Sequence, residues 1–366
     1  MDRSAVNLKA GELYFIRERE VRTGKITSYV KIGIVREKVG DIRTSQERAL
    51  EHQTGNPRVT FVDSIIKTEA VQTVENILHW TYSFDRISGE WFDLTEADYK
   101  NVKLNADKIS KYISSNLKVF SDAEKLKAFK SNGKYIKAKK ESIKWHNQFL
   151  LNEFLENICI DFEKLALVKI QKFEKVKFDA IDGVAENEIS LIKTKEISAR
   201  SVFSEELLKL ELPDLYDEYL TIESMSIKGS FLPFRPKDMF FDLKKISPDL
   251  AKELNSATKK LDSATRSKNA IEELHAYTLR LRAYKAKASL DKEIALANLK
   301  VLCAKNDGIE GICTWRRKEI LNKKFDVKLF IEQHPDVYNK FQRVIEAKQT
   351  STLEKRRSYK VKKTKK

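Results

Sequence analysis

Cysteine, glycine and proline are scarce in this chain. Its 366 residues include 3 cysteines, 11 glycines and 6 prolines. The cysteines (Cys159, Cys303 and Cys313) are odd in number and form no C-x-x-C pair, which argues against a disulfide framework or a zinc site and fits a reducing compartment. With 41% hydrophobic and 34% charged residues, the chain has the composition of a globular protein that is rich in helix.

The sequence also lacks long apolar runs and a phosphate-binding loop. No segment approaches the ~20 apolar residues that a membrane-spanning helix needs, and no signal peptide is evident. We therefore expect a cytoplasmic or nucleoid-side protein with no membrane partner. No G-x-x-x-x-G-K-[ST] motif occurs, so the chain is not expected to drive movement by nucleotide hydrolysis.

Positive charge is what the chain has in excess. Seventy Lys and Arg residues outweigh 54 Asp and Glu residues, which leaves a formal charge of +16. Such a surplus favours nucleic acid or an anionic membrane surface as partner, although a merely soluble basic protein is equally compatible with it. Half of the surplus lies in residues 343–366, and their composition predicts a disordered basic tail over residues 346–366.

The first hundred residues combine strand and helix patterns. Residues 12–17, 28–35 and 59–66 are rich in β-branched and aromatic side chains and predict strands. Helix patterns cover residues 44–52 and 69–84, and Trp91 and Phe92 close the unit before Thr95, which has the pattern of a helix N-cap. These elements predict a small antiparallel sheet flanked by helices, within an α+β domain over residues 1–97.

The remainder of the sequence is mostly helical in pattern. We predict a helical middle domain over residues 98–245 and an Ala- and Lys-rich helical hairpin or coiled coil over residues 246–306, which begins at the Ser247–Pro248 N-cap. A small helical unit over residues 307–345 precedes the tail. No internal repeat is evident, and the helical region is a candidate for self-association.

Polar residues of the first domain are spaced so that they can share a surface. Three pairs stand out: Tyr14 with Lys31 on neighbouring strands, Arg48 with His52 four residues on, and Glu75 with His79 four residues on. A carboxylate, imidazoles and cations are what phosphodiester hydrolysis requires, because it needs a base for water and charge stabilisation on the phosphate. Taken singly, Tyr14 is more typical of an ordinary strand aromatic and Glu75 with His79 of a solvated helix face, whereas Lys31 is harder to explain in the middle of a strand unless its amine is paired.

The order of these residues resembles that of a known family. The segments LYFI (13–16), VKIG (30–33), HQTGNPR (52–58) and GEWF (89–92), together with Arg48, Glu75 and His79, resemble a divergent phage- and bacteria-associated branch of the GIY-YIG nuclease superfamily. The resemblance covers about residues 10–95. It implies a DNA endonuclease that uses one divalent cation, Mg²⁺ or Mn²⁺, in phage defence or a mobile element.

The resemblance also implies roles for individual residues. Tyr14 stands where the family places the tyrosine that activates the attacking water, and Lys31 stands where its second tyrosine usually lies. Gly33 matches the glycine that allows close strand packing. Arg48 would neutralise the scissile phosphate, with His52 assisting proton transfer.

The resemblance implies that one carboxylate binds the metal ion. Glu75 matches the single metal ligand of the family, and His79 and Glu90 are candidate supporting residues. The family's closing asparagine is not evident, and the GEWF segment occupies that region.

DNA contacts are expected both inside and outside the first domain. The candidates are Arg58, which ends the HQTGNPR segment, and the adjoining aromatic and basic residues Trp315, Arg316, Arg317 and Lys318. A second basic segment, residues 134–144, is as compatible with a solvated helix face as with a DNA contact. The competing hypotheses are a non-catalytic DNA-binding or scaffolding protein that retains the nuclease fold, and a structural coiled-coil protein.

Overall fold

The N-terminal part of the protein is built on a five-stranded antiparallel sheet. The computed structural model describes residues 8–36, 44–53, 56–179, 192–237, 240–263 and 268–353. The sheet and its two helices comprise β1 (Gly11–Arg19), β2 (Ile26–Arg36), α1 (Ser45–Gln53), β3 (Val59–Thr68), α2 (Val71–Thr81), β4 (Arg86–Ser88) and β5 (Trp91–Asp93). The strand order is β3-β1-β2-β5-β4.

Strand β1, which lies between β3 and β2, is buried on both faces. Leu13 and Phe15 point into the larger hydrophobic core, which also contains residues of α2. Tyr14 and Ile16 point to the opposite face, where Ala49 of α1 packs. The alternation follows from the two-residue period of a strand, and it places Tyr14 on the face that α1 covers.

The rest of the chain is longer in helix but not purely helical. It continues through α3 (Glu96–Leu126), β6 (Tyr135–Ile136), α4 (Lys140–Asp179), β7 (Ile192–Ile197), β8 (Arg200–Phe203), α5 (Glu205–Glu211), α6 (Pro213–Glu218), β9 (Leu220–Lys228), β10 (Leu232–Pro233), α7 (Leu243–Ile246), α8 (Pro248–Ser263) and α9 (Lys268–Cys303). It ends with β11 (Gly308–Ile309), β12 (Cys313–Thr314), β13 (Lys318–Phe325), α10 (Val327–Gln333), α11 (Pro335–Lys340), β14 (Gln342–Ile345) and β15 (Lys348–Leu353). The prediction of an α+β chain with a small N-terminal sheet and a helix-rich remainder is confirmed.

Helix α9 connects the sheet to the other long helices. Leu290 and Ile294 of α9 belong to the core beneath the sheet. Ion pairs from Glu163 to Arg282 and from Glu156 to Lys292 run between α4 and α9. Since the residue number rises on one helix as it falls on the other, the two helices are antiparallel.

Helices α8 and α9 also run antiparallel to each other. Lys260 pairs with Glu273, and Glu253 pairs with Arg280 at 3.0 Å. The Ala- and Lys-rich segment therefore consists of two antiparallel helices with a shared apolar interface that includes Leu250.

The prediction of a helical unit over residues 307–345 is wrong. This segment contains four strands and two helices of seven and six residues. Its long strand β13 pairs with β9, and β14 pairs with β8. Strand β9 lies about 100 residues before β13 and β8 about 140 residues before β14, so no local pattern could indicate the pairing.

These distant segments form two copies of one unit, which corrects the expectation that no repeat exists. Each copy has a strand, two short helices and a second strand. Seven positions of the first copy correspond, at constant separation along the chain, to seven of the second: Phe203, Ser204, Leu208, Pro213, Asp214, Tyr216 and Tyr219 to Phe325, Asp326, Phe330, Pro335, Asp336, Tyr338 and Phe341.

The two copies complete each other. The strand that enters one copy pairs with the strand that leaves the other, as β8 does with β14 and β13 with β9. Their aromatic side chains share one core around Leu208, Phe325 and Phe330. The arrangement is that of an intramolecular pseudo-two-fold pair in which neither half has a complete core alone.

The prediction of a disordered basic tail is contradicted over its first residues. Residues 348–353 form β15, which pairs with β7, so disorder from residue 346 onwards is wrong for this strand. The rest of the expected tail, residues 354–366, lies outside the described residues. Among the helices that the structure describes, none is long and apolar enough to cross a membrane.

The repeat predicts equal roles for two helix caps. Ser204 Oγ accepts a hydrogen bond from the backbone N–H of Leu207, and Asp326 Oδ1 accepts one from Leu329. We expect Ser204→Ala and Asp326→Ala each to lower the free energy of unfolding by about 1 kcal/mol, because each leaves a helix N–H unpaired. Thermal and denaturant unfolding would measure this. A loss at one position alone would contradict the equivalence of the two copies.

Candidate active site

The ring of Tyr14 crosses its neighbouring strand at Gly33. The two residues are directly paired in β1 and β2. A Cβ atom built on Gly33 would lie 2.4 Å from the Tyr14 hydroxyl oxygen. Only glycine leaves room for the ring here, so the tyrosine can extend over β2 toward the edge beyond it. Tyr14 is 1% exposed.

Arg48 of α1 meets Tyr14 on this face. Burial raises the pKa of Tyr14 above its ordinary value, a hydrogen bond from Arg48 opposes that rise, and the nearby carboxylates of Glu90 and Glu75 add to it. The phenol is therefore protonated at neutral pH. The same shifts show that Arg48, Glu75 and Glu90 lie around the hydroxyl group.

Lys31 reaches the same surface from β2. It lies on the same face as Gly33, two residues away, and its ammonium group donates a hydrogen bond to Glu90. The Lys31 side chain is buried and the Glu90 side chain is partly exposed. This pairing explains how an amine is tolerated in the middle of a strand.

Strand β5 begins at Trp91, which is too late in the chain to pair with β2 beyond Lys31. Its last pair with β2 joins Lys31 to Trp91, and the next N–H, that of Ile32, donates to the carbonyl of Glu90. The carbonyl of Ile32 points to the same side and has no strand partner there. His79 Nε2 donates a hydrogen bond to it at 2.9 Å.

This hydrogen bond brings α2 to the edge of the sheet. Glu75 lies one helical turn before His79, and Glu75 Oε1 is 4.0 Å from His79 Nε2. His79 Nδ1 accepts a hydrogen bond from Arg86 at 3.3 Å, which makes the imidazole neutral. Helix α2 therefore delivers a buried carboxylate to the site from behind the sheet.

His52 is the remaining predicted residue of the group. Burial and the positive charges of Lys31 and Arg48 lower its pKa below the ordinary value of 6.5. Its Nε2 atom is buried and has no hydrogen-bond partner among the described residues. The ring is thus uncharged at neutral pH and able to accept a proton.

The structure therefore brings together all the residues that were singled out for chemistry. Tyr14, Lys31, Arg48, His52 and Glu75 form one electrostatically connected group, in which Glu90 pairs with Lys31 and His79 lies next to Glu75. Their catalytic roles stay predictions. Sequence reasoning missed Arg86, which is buried, donates to the Gly89 carbonyl and orients His79. Its position three residues before a glycine turn gives no local signal of that role.

The donor chemistry of the site fits a weakly held divalent cation. Within the ranges that the structure describes, no group of three or more His, Cys, Asp or Glu residues could hold a metal ion. Magnesium, however, is usually bound by one or two carboxylates with water and substrate phosphate. Glu75, which lies 4.0 Å from His79, is a carboxylate of that kind, and Glu90 is paired with Lys31.

Arg58 lies on a neighbouring surface. Its Nη1 donates to Glu18 at 3.0 Å, and its guanidinium group lies 5.6 Å from the centre of the Tyr29 ring. It lines an open pocket of about 470 Å³ beside Thr95 and Glu96 at the start of α3. Its expected contact with DNA stays a prediction.

Two of the expected DNA contacts near the C-terminus are wrong. Trp315 and Arg317 are each 1% exposed and cannot reach a ligand. Arg317 donates to the carbonyls of Leu126 and Ala304, both at 2.6 Å, at the C-terminal ends of α3 and α9. Its guanidinium carbon lies 3.8 Å from the centre of the Trp315 ring.

Burial alternates along this segment because it is extended and leads into β13. Arg316 and Lys318 lie between and beyond the two buried residues and are exposed. Their DNA contacts stay predictions.

Comparisons of the chain with models of protein families, with curated proteins and with solved structures found no match.

The contact between Tyr14 and Gly33 gives a stability test. We expect Gly33→Ala to lower the free energy of unfolding by about 1–3 kcal/mol, because the new methyl group overlaps the tyrosine ring. In a Tyr14→Ala background the same change should cost much less. A double-mutant cycle by chemical denaturation would measure the coupling, and equal costs in both backgrounds would contradict the described packing.

The electrostatic environment of His52 gives a pH test. NMR titration should place the pKa of His52 below 6.5, and Lys31→Met should raise it toward that value, because a neighbouring positive charge is removed. Lys67→Met, which changes an exposed lysine on β3, is the control and should leave it unaltered. If Lys31→Met had no effect, His52 and Lys31 would not share this site.

Proposed function

We propose that the protein is a metal-dependent endonuclease that hydrolyses DNA phosphodiester bonds at this site. One observation carries the proposal: Tyr14, Lys31, Arg48, His52 and Glu75, from four separate elements, are connected by hydrogen-bond and electrostatic interactions through Arg48 and Glu90. Their order along the chain resembles the GIY-YIG nucleases, and the net charge of +16 suits a polyanionic substrate.

The cations would hold the scissile phosphate. Arg48 already donates to the Tyr14 hydroxyl, and its side chain is partly exposed on α1. Lys31 is paired with Glu90, so a phosphate would compete with that carboxylate for the ammonium group. Both groups lie where negative charge develops on the phosphate oxygens during hydrolysis.

His52, the residue with the lowered pKa, would accept the proton from water. Tyr14 is protonated in the free protein, whereas His52 is neutral and has a buried nitrogen atom with no partner among the described residues. We therefore assign proton acceptance to His52 and orientation of the water to the Tyr14 hydroxyl. This division matches the general rule that acid and base groups have pKa values shifted in opposite directions.

Glu75 would hold the divalent cation together with the phosphate. A bound Mg²⁺ ion supplies charge stabilisation for the phosphate and the leaving oxygen. His79 fixes the position of the helix turn from which Glu75 projects, through its hydrogen bond to Ile32. Without substrate, only weak cation binding is expected.

Glu75→Gln tests the proposal. Cleavage of supercoiled plasmid in Mg²⁺ should fall by roughly 1000-fold, because a metal ion contributes several kcal/mol and each ~1.4 kcal/mol is a factor of ten. DNA affinity without metal should be retained. Glu69→Gln, an exposed residue just before α2, is the matched control and should cleave normally.

An assay of the wild-type protein distinguishes a nuclease from a non-catalytic DNA-binding protein. Product ends mapped by sequencing would define the reaction as hydrolysis of one or both strands. If the wild type binds DNA but shows no cleavage in Mg²⁺ or Mn²⁺, the chain is a non-catalytic DNA-binding protein that keeps the fold.

A further inference from the structure

A second basic surface lies at the far end of α3 from the sheet. We call it the aromatic–basic patch and define it by eight residues from four segments: Phe129, Lys130, Lys134, Tyr135, Lys228, Lys305, Arg316 and Lys318. All eight are exposed. The mechanism above uses none of them.

Hydrogen bonds hold these distant segments side by side. The N–H of Asn132 donates to the carbonyl of Lys305, and the N–H of Asp307 donates to the carbonyl of Lys134. The N–H of Ser131 donates to the carbonyl of Arg317 at 3.1 Å. Two basic segments that are about 180 residues apart in the sequence therefore form one surface.

Positive charge on the patch is largely uncompensated. In the part of the chain that the structure describes, Lys130, Lys134, Lys305 and Lys318 form no ion pair, and Arg316 is paired only with Asp307 at 3.6 Å. The acidic side chain of Asp307 is itself nearly buried and accepts a hydrogen bond from the N–H of Gly133.

Two lysines of the patch face each other across a pair of strands. Lys318 of β13 is directly opposite Lys228 of β9. Like charges at opposed positions destabilise a strand pair, and an anion between them would remove that repulsion. The arrangement points to a bound polyanion.

Aromatic rings lie among these cations. Phe129 is 44% exposed and Tyr135 is 37% exposed. The Lys305 ammonium group lies 4.4 Å from the centre of the Phe129 ring, and the Arg316 guanidinium group lies 5.9 Å from that of Tyr135. Cations interleaved with exposed rings are typical of surfaces that bind single-stranded nucleic acid, where lysines contact phosphates and rings stack on bases.

We propose that the aromatic–basic patch binds a single strand of the DNA substrate, away from the site of cleavage. The identity of the ligand as DNA rests on the proposed function, whereas its polyanionic and base-stacking character rests on the patch alone. The patch anchors the substrate through its backbone, so it adds affinity without reading sequence.

The test compares two triple variants in the Glu75→Gln background, so that DNA is bound and not cut. The patch variant is Lys134→Ala/Lys305→Ala/Lys318→Ala. The matched control is Lys108→Ala/Lys209→Ala/Lys252→Ala, which removes the same charge from exposed lysines on α3, α5 and α8. Binding of a fluorescent 30-nucleotide strand is followed by anisotropy over a range of salt concentrations without metal.

We expect the patch variant to bind at least about tenfold more weakly than the control. Its plot of log affinity against log salt should be shallower by about 2, since each lost phosphate contact removes roughly 0.7 of slope for a single strand. Phe129→Ala/Tyr135→Ala should also weaken binding about tenfold or more, by loss of stacking, without changing that slope.

Equal affinities of the patch and control variants for the single strand would overturn the proposal. So would a patch variant whose affinity falls below that of the control for duplex DNA only. Failure of the proposed function is distinguishable from this result. If the wild type does not cleave but the patch variant loses binding, the nuclease assignment fails and the patch assignment stands. If the wild type cleaves and the patch variant binds like the control, the nuclease assignment stands and the patch assignment fails.

Discussion

The hydrogen bond between His79 and the carbonyl of Ile32 determines where the second helix meets the sheet. A buried carbonyl at a strand edge requires a donor, and β5 is too short to provide one. His79 provides it, and the helical repeat then places Glu75 one turn earlier, with its Oε1 atom 4.0 Å from His79 Nε2. The position of the acidic group thus depends on the point at which β5 begins.

Charge compensation keeps these buried groups together. Lys31 is paired with Glu90, and Arg48 donates to Tyr14. Neither pairing neutralises the whole group, since Glu75 and Glu90 still raise the pKa of Tyr14 while Lys31 and Arg48 lower that of His52. Burial is the largest cause of both shifts, and these carboxylates and cations add to it, so that a protonated phenol and an unprotonated imidazole lie in one site at the same pH.

Local patterns predicted the N-terminal elements well because their signals are short in range. Strand alternation and the four-residue spacings of Arg48 with His52 and Glu75 with His79 both survive in the structure. The partner of β13 and the Leu126 acceptor of Arg317 could not be predicted, because they lie about 100 and about 190 residues away. The repeat was hidden by different charges on its surfaces, while the matching positions are few: its aromatic, proline and capping positions, Leu208 with Phe330, and Asp214 with Asp336.

The same two helices carry both surfaces to which functions are assigned. The midsections of α3 and α9 pack beneath the sheet through Ile113 and Ile294, and Arg317 binds the C-terminal ends of both. From Ser110, whose hydroxyl group donates to the Lys67 carbonyl of β3, to Leu126 the rise of α3 is about 24 Å. Because continuous helices and not a flexible linker join the sheet to the patch, a strand held on the patch would lie at a set separation from the site.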